Sequence, residues 1–167
     1  MSVQTNYNYS TPIASPGAIA DLAPYAIDAF ANEENTGVLK FGMGVVNGTV
    51  AGKTCKKPAS GATAGSFLGI TVNGRTTESG LEGETYIRNK ATVGVMRYGR
   101  IYGRVVSGVT ISYGNPVYLA ITGDNAGLFT NAAGDTGTTV AVKGRFLGPV
   151  DASTGVAQIE LFNQAQQ

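Results

Sequence analysis

The side chains able to make or break covalent bonds are few, and their spacing matches no reaction. Histidine is absent from the 167 residues, which removes the Ser-His-Asp and Cys-His nucleophile systems, the imidazole proton shuttle and histidine-ligated zinc or iron. The one cysteine, Cys55, can form neither an intramolecular disulfide nor a multi-cysteine metal cluster. Lys53, Lys56 and Lys57 surround it and would favour its thiolate, but neither a base nor a resolving thiol accompanies it, so the segment reads as a small solvated basic turn. Glu33 and Glu34, and then Glu78, Glu82 and Glu84, are the carboxylates from which a glycoside-cleaving pair or a calcium site would have to be built. Neither set has the spacing of such a site. Asp124-Asn125-Ala126-Gly127 and residues 131–135 fall short of a calcium-binding loop and suit turns in which side chains bond to backbone. No glycine-rich segment lies between a strand and a helix, as a phosphate loop requires. The expectation is a chain that is not an enzyme and carries no metal or other cofactor.

Charge narrows the partners. Lys and Arg total 12 against 11 Asp and Glu, a net charge of +1, far from the basic excess of domains held to nucleic acid by phosphate contacts. Charged residues make up 14% of the chain, where about 25% is typical. A surface so poor in charge suits a protein packed against other chains. The N-terminus has neither the charged nor the apolar region of a secretion signal, and no stretch approaches the roughly 18 apolar residues of a membrane span. Neither nucleic acid nor membrane is expected as a partner.

The most strongly patterned segment is Thr92–Val106. Val93, Val95, Ile101 and Val105 share one parity and should face a core, with Met96, Tyr98, Arg100, Tyr102 and Arg104 on the other and Arg97 an exception on the apolar side. The outer face is then a Tyr-Arg ladder, the residue types enriched at the energetic centres of protein interfaces. An exposed strand whose side chains pair locally across the sheet accounts for the same pattern. Stacking platforms for nucleic-acid bases would also use such aromatics, but the charge balance counts against them.

The elements that must position this ladder are strands. Turn pairs such as Asn47-Gly48, Asn73-Gly74 and Gly123-Asp124 separate runs rich in Val, Ile, Thr and Tyr at Val45–Val50, Phe67–Val72, Pro116–Thr122, Thr138–Leu147 and Val156–Phe162, the signature of an all-β domain. A short helix over Ile19–Phe30 is opposed by Pro16 and Pro24. Residues 1–24, uncharged before Asp21 and carrying Pro12, Pro16 and Pro24, read as an extended arm ahead of a single β domain over 25–167. Tyr7, Tyr9 and Ile13 give that arm a docking role, against simple disorder. An internal echo suggests two similar β-units. Phe41-Gly42-Met43-Gly44-Val45 matches Tyr113-Gly114-Asn115-Pro116-Val117, and Phe67-Leu68-Gly69 matches Phe146-Leu147-Gly148.

In their order along the chain, Pro16-Gly17-Ala18-Ile19-Ala20-Asp21, Asn32-Glu33-Glu34, Phe41-Gly42-Met43-Gly44-Val45-Val46, Phe67-Leu68-Gly69-Ile70, Gly99-Arg100-Ile101-Tyr102, Gly114-Asn115-Pro116-Val117-Tyr118 and Gly144-Arg145-Phe146-Leu147 resemble the structural cement, or capsid decoration, proteins of tailed bacteriophages. The resemblance implies a compact small β-barrel or β-sandwich on the outer surface of an icosahedral head, made in the host cytoplasm. There it would bridge neighbouring major capsid subunits, as a homotrimer ahead of a dimer, and stabilise the expanded shell. It brings no catalytic residues. The expected contacts to capsid or sister subunits are Tyr7, Tyr9, Ile13 and Ile19 in the arm and Tyr98, Arg100, Tyr102 and Arg104 in the ladder. The alternative is a carbohydrate- or host-surface-binding β module displayed on a virion. The absence of tryptophan, the usual flat partner of a sugar ring, weighs against it.

Overall fold

A computed structural model of the chain describes residues 15–74, 77–79 and 85–163. Among these residues eleven strands follow in order: β1 (Ala26–Asn32), β2 (Gly44–Asn47), β3 (Thr54–Lys56), β4 (Phe67–Thr71), β5 (Thr77–Ser79), β6 (Thr85–Ile87), β7 (Thr92–Arg104), β8 (Pro116–Ala120), β9 (Phe129–Thr130), β10 (Thr139–Phe146) and β11 (Val156–Leu161). Among the described residues the helical content is one 3-10 turn at Ala64–Ser66. Over Ile19–Phe30, where a helix is an option from the sequence, the chain makes an isolated bridge at Ile19, bends at Leu22–Ala23 and enters β1 at Ala26. β5 and β6 form a separate two-stranded hairpin.

The other nine strands make one sheet that closes on itself. Its order is β1-β3-β2-β4-β7-β11-β10-β8-β9, and β1 also pairs with β7, so β1, β3, β2, β4 and β7 form a closed five-stranded barrel. One of its five seams, β1 against β3, is parallel; the other four are antiparallel. The second half repeats the scheme. β7 pairs with β11, β11 with β10, β10 with β8 and β8 with β9, all antiparallel. A parallel bridge from Phe129 of β9 to Val105, just past β7, completes the ring. In chain order the strands of each ring are joined by the same set of seams, and β7 serves as the last strand of the first and the first strand of the second.

The echo in the sequence marks part of this repetition. Gly44 and Pro116, matched by the Gly-x-x-Val pattern, are the first residues of β2 and β8. The glycines two positions before them, Gly42 and Gly114, both have positive φ, 75° and 84°, a conformation that glycine adopts without the Cβ clash. The Phe-Leu-Gly half of the echo is not structural, because Phe67 begins β4 whereas Phe146 ends β10.

A bulge lets β7 line two cores. Ala26 lies opposite Tyr98 and Ile27 opposite Met96, which leaves Arg97 as the extra residue. Before the bulge Val93 and Val95 point into the first barrel with Phe30, Leu39, Val45, Cys55 and Leu68. After it Ile101 and Val105 join the second core with Val117, Leu119, Phe129, Phe146, Ile159 and Leu161. The apolar parity read from the sequence is therefore buried as expected, with one correction. Met96, placed on the outer face, is completely buried. Its side of β7 at that point is covered by the second core, which also takes Phe67 and Ile70 from the first ring. Arg97 is exposed because the bulge turns it outward, and it pairs with Asp28 on β1 at 3.0 Å.

Candidate docking surface

Chain preceding β1 is laid along β7 as a strap. The amide of Gly17 donates to the carbonyl of Tyr102 (2.8 Å), that of Tyr102 to Ala18 (3.0 Å) and that of Ala20 to Arg100 (2.9 Å), with Ile19 bridged antiparallel to Ile101. Asp21, the next residue, fastens the end of the strap. Its carboxylate accepts from Arg100 Nη1 at 2.8 Å and from the Ala23 amide at 3.0 Å. Arg100 also donates through Nε to Glu160 Oε1 (3.0 Å), and Arg145 Nε to Glu160 Oε2 (2.6 Å). Two cations and two carboxylates thus neutralise one another across the strap, β7, β10 and β11.

The titration of these groups follows from the contacts. The hydrogen bond from Arg100 and the Ala23 amide hold the Asp21 carboxyl below its usual range. Partial burial of Glu160 acts to raise its pKa, but the hydrogen bonds from Arg145 and Arg100 outweigh it, and the net shift is downward. Both carboxylates are charged at neutral pH. Their contribution is lost as pH falls through those lowered values, so the fastening weakens in acid and not in base.

Around this network lies an apolar surface. Leu22 is 97% exposed, Tyr25 48%, Tyr98 40% and Phe162 45%. Pro24, Tyr98 and Phe162 line a cleft together with Arg100, Arg145 and Glu160, and Tyr113 extends the surface under the Arg145 guanidinium, 5.8 Å from its ring centre. Isolated apolar side chains on a surface need no explanation, but Tyr98 and Phe162 in one cleft with a neutralised charge cluster have the character of an interaction site.

The residues expected from the sequence fall in different places. Ile19 and Tyr98 are exposed, and Tyr102 is half-buried beside the strap. Arg100 belongs to the charge network. Arg104 donates through Nε to the Phe41 carbonyl at 2.8 Å, which ties β7 to the turn before β2. Tyr7, Tyr9 and Ile13 lie outside the described residues. Leu22, Tyr25 and Phe162 were not foreseen. For Phe162 a signal existed: Leu161 and Phe162 are consecutive at the end of a strand, so both cannot point into one core.

The remaining chemical groups are structural. Cys55 is buried in the first barrel. Burial, and then the charges of Glu33 and Glu34, push its thiol up to about 12, opposite to the effect sought from the neighbouring lysines. We expect Cys55 to resist a thiol-specific disulfide reagent at pH 8 in the folded protein and to react fully once it is unfolded in denaturant; rapid stoichiometric labelling of native protein would contradict this burial. Glu33 accepts from the Thr49 amide and hydroxyl, and Glu34 from the Lys57 amide. Glu82 and Glu84 are outside the described residues, as is the side chain of Glu78. Asn125 and Gly123 accept turn bonds from Leu128 and Ala126. Among the described residues no group of three or more Cys, Asp and Glu side chains converges on a point where a metal could sit.

Comparison with known proteins points in one direction. The model of a phage family described as "Structural cement protein (E217 gp24/Pam3 gp6)" matches residues 3–162. A chain from "The capsid of Myoviridae Phage XM1" superposes with a TM-score of 0.70 at 19% identity, over 96% of this chain and 98% of that one, a likeness of fold. No curated protein sequence matches the chain.

Proposed function

Because the chain belongs to the phage structural cement family, a family of virion structural proteins, we propose that it binds the outer surface of an expanded icosahedral head and bridges neighbouring major capsid subunits there. The observation that carries this reading is the family match over residues 3–162. The exposed apolar surface of Leu22, Tyr25, Tyr98 and Phe162 on a rigid doubly closed β scaffold supports it. The proposed contacts to capsid or sister subunits are Tyr7, Tyr9, Ile13 and Ile19 with the solvent-facing side of Tyr98–Arg104.

The mechanism is linkage. A ligand that binds only the assembled, expanded lattice stabilises it by RT ln(1 + [L]/Kd), about 2.7 kcal/mol per site at a hundredfold excess over Kd. A bridge across two capsid subunits couples that energy to their staying together. Linked copies would dock at high effective concentration once the first had bound. No proton transfer or bond cleavage is required.

The test is to mix the purified chain with expanded heads of its own phage that lack it, then pellet and heat them. The chain should co-sediment and raise the temperature at which heads release DNA, by several degrees at saturation. It should not bind the unexpanded shell with the same affinity. Failure to pellet with expanded heads, or binding without any change in their heat resistance, would remove the proposal.

A further inference from the structure

The strap has a direction, and that direction sets Ser15 and the apolar surface at opposite ends of it. Gly17 is bonded at Tyr102 and Ala20 at Arg100, so the described chain starts at the Tyr102 end, beside Asn73, whose amide donates to the Gly17 carbonyl at 2.8 Å. The apolar surface begins with Leu22, past the opposite end.

The residues beyond Ser15 have a pattern that fits such a surface. Val3, Thr5, Tyr7, Tyr9, Thr11 and Ile13 occupy one parity, while Ser2, Gln4, Asn6, Asn8 and Ser10 occupy the other, and the first charged residue of the chain is Asp21. Alternation from Val3 to Ser10, which ends where Pro12 and Ala14 fall on the second parity, suits an extended segment with one face to bury. The receiving surface matches in charge, because Asp21, Arg100, Glu160 and Arg145 already cancel one another at its centre. It can seat an uncharged partner without stranding an ion. Reach is sufficient: fourteen extended residues span up to about 48 Å, against a radius of gyration of about 15 Å for a domain of this length.

We propose that residues 1–14 of one copy dock on the Leu22–Tyr98–Phe162 surface of a neighbouring copy, with Val3, Tyr7, Tyr9 and Ile13 against it. Donor and acceptor sites are different patches, so the contact is head-to-tail, and a ring closes when each arm is received by the next copy. This association needs no capsid, and its failure is therefore distinct from failure of head binding.

The test is the mass of the full chain in solution without heads, by light scattering and native mass spectrometry over a range of concentrations. A small oligomer whose mass stops growing with concentration is expected. Full-length Tyr7→Asp/Tyr9→Asp and Leu22→Asp/Tyr98→Asp should each run as single chains with unchanged circular dichroism, as should the chain lacking residues 1–14. Mixing the deletion, which keeps the receiving surface, with Leu22→Asp/Tyr98→Asp, which keeps the arm, should restore a one-to-one pair. A monomeric full chain, variants that keep the oligomer mass, or a mixture that does not pair, as when each arm folds onto its own surface, would each overturn the proposal.

Discussion

Phe129→Ala should lower stability by about 4 kcal/mol, as truncation of a fully buried phenylalanine does, and move the thermal midpoint down by about 8–16 °C in a domain of this size. Phe129 has no solvent exposure and holds the two rings together. Its ring meets Phe67 of the first ring edge-on, with centroids 6.5 Å apart and planes at 86°. Gly103 of β7 lies beneath it, so close that a Cβ there would sit 3.1 Å from Cδ2. Its backbone pairs with Leu119, bridges to Val105 and accepts from the Val106 amide at 2.9 Å. Because the side chain bridges both rings, the loss should appear as one transition shifted to lower denaturant with unchanged slope. A cost below about 1.5 kcal/mol would contradict the shared core and argue for two rings that unfold separately.

How far the sequence discloses this arrangement depends on where each strand gets its stability. β4, β7, β8, β10 and β11 lie inside the runs of Val, Ile, Thr and Tyr that mark them: β8, β10 and β11 bury alternate residues over most of their length, β4 is buried throughout, and β7 changes its alternation at the bulge. β1 is different. Its residues, Ala26-Ile27-Asp28-Ala29-Phe30-Ala31-Asn32, have little β preference, and it exists because β7 and β3 pair with it from 61–72 and 23 positions away. The parallel seams that close each ring are equally non-local, so composition and turn signals reveal an all-β chain and the echo reveals two units, but not the closure.

The ladder shows the same limit. Tyr98 is exposed as its parity demands, whereas Arg100 finds Asp21 and Glu160, 79 and 60 positions away, and Arg104 finds the Phe41 carbonyl. An arginine on an outer face is legible in a sequence, but the identity of its partner is not. Leu22 illustrates the converse: grouped with the arm by composition, it follows Asp21, which the strap fastens to Arg100 beside the cleft that Tyr98 and Phe162 line.

Ring closure itself predicts the second large effect. Gly69 lies opposite Val45 in the β2–β4 pairing, next to the only two registered pairs of β4 with β7, Ile70 with Met96 and Thr71 with Val95. A Cβ at Gly69 would collide with the Met96 carbonyl oxygen and lie 3.0 Å from Val95 Cγ1, at a backbone φ of +154° that side chains rarely adopt. The obstacle is backbone, so no rotamer relieves it. Moving β4 aside would break one of the five seams, and the strands on either side are fixed by the closed ring. Gly69→Ala should therefore cost about 3 kcal/mol or more, overpacking added to backbone strain, with a fall of about 6–12 °C in the thermal midpoint. Gly61→Ala provides the comparison, because Gly61 also has positive φ (+88°) but nothing within 4 Å of an added Cβ. It isolates the conformational cost, about 1 kcal/mol. Equal losses in the two variants would mean that β4 can shift against β7, and the first barrel would then be an open sheet in solution.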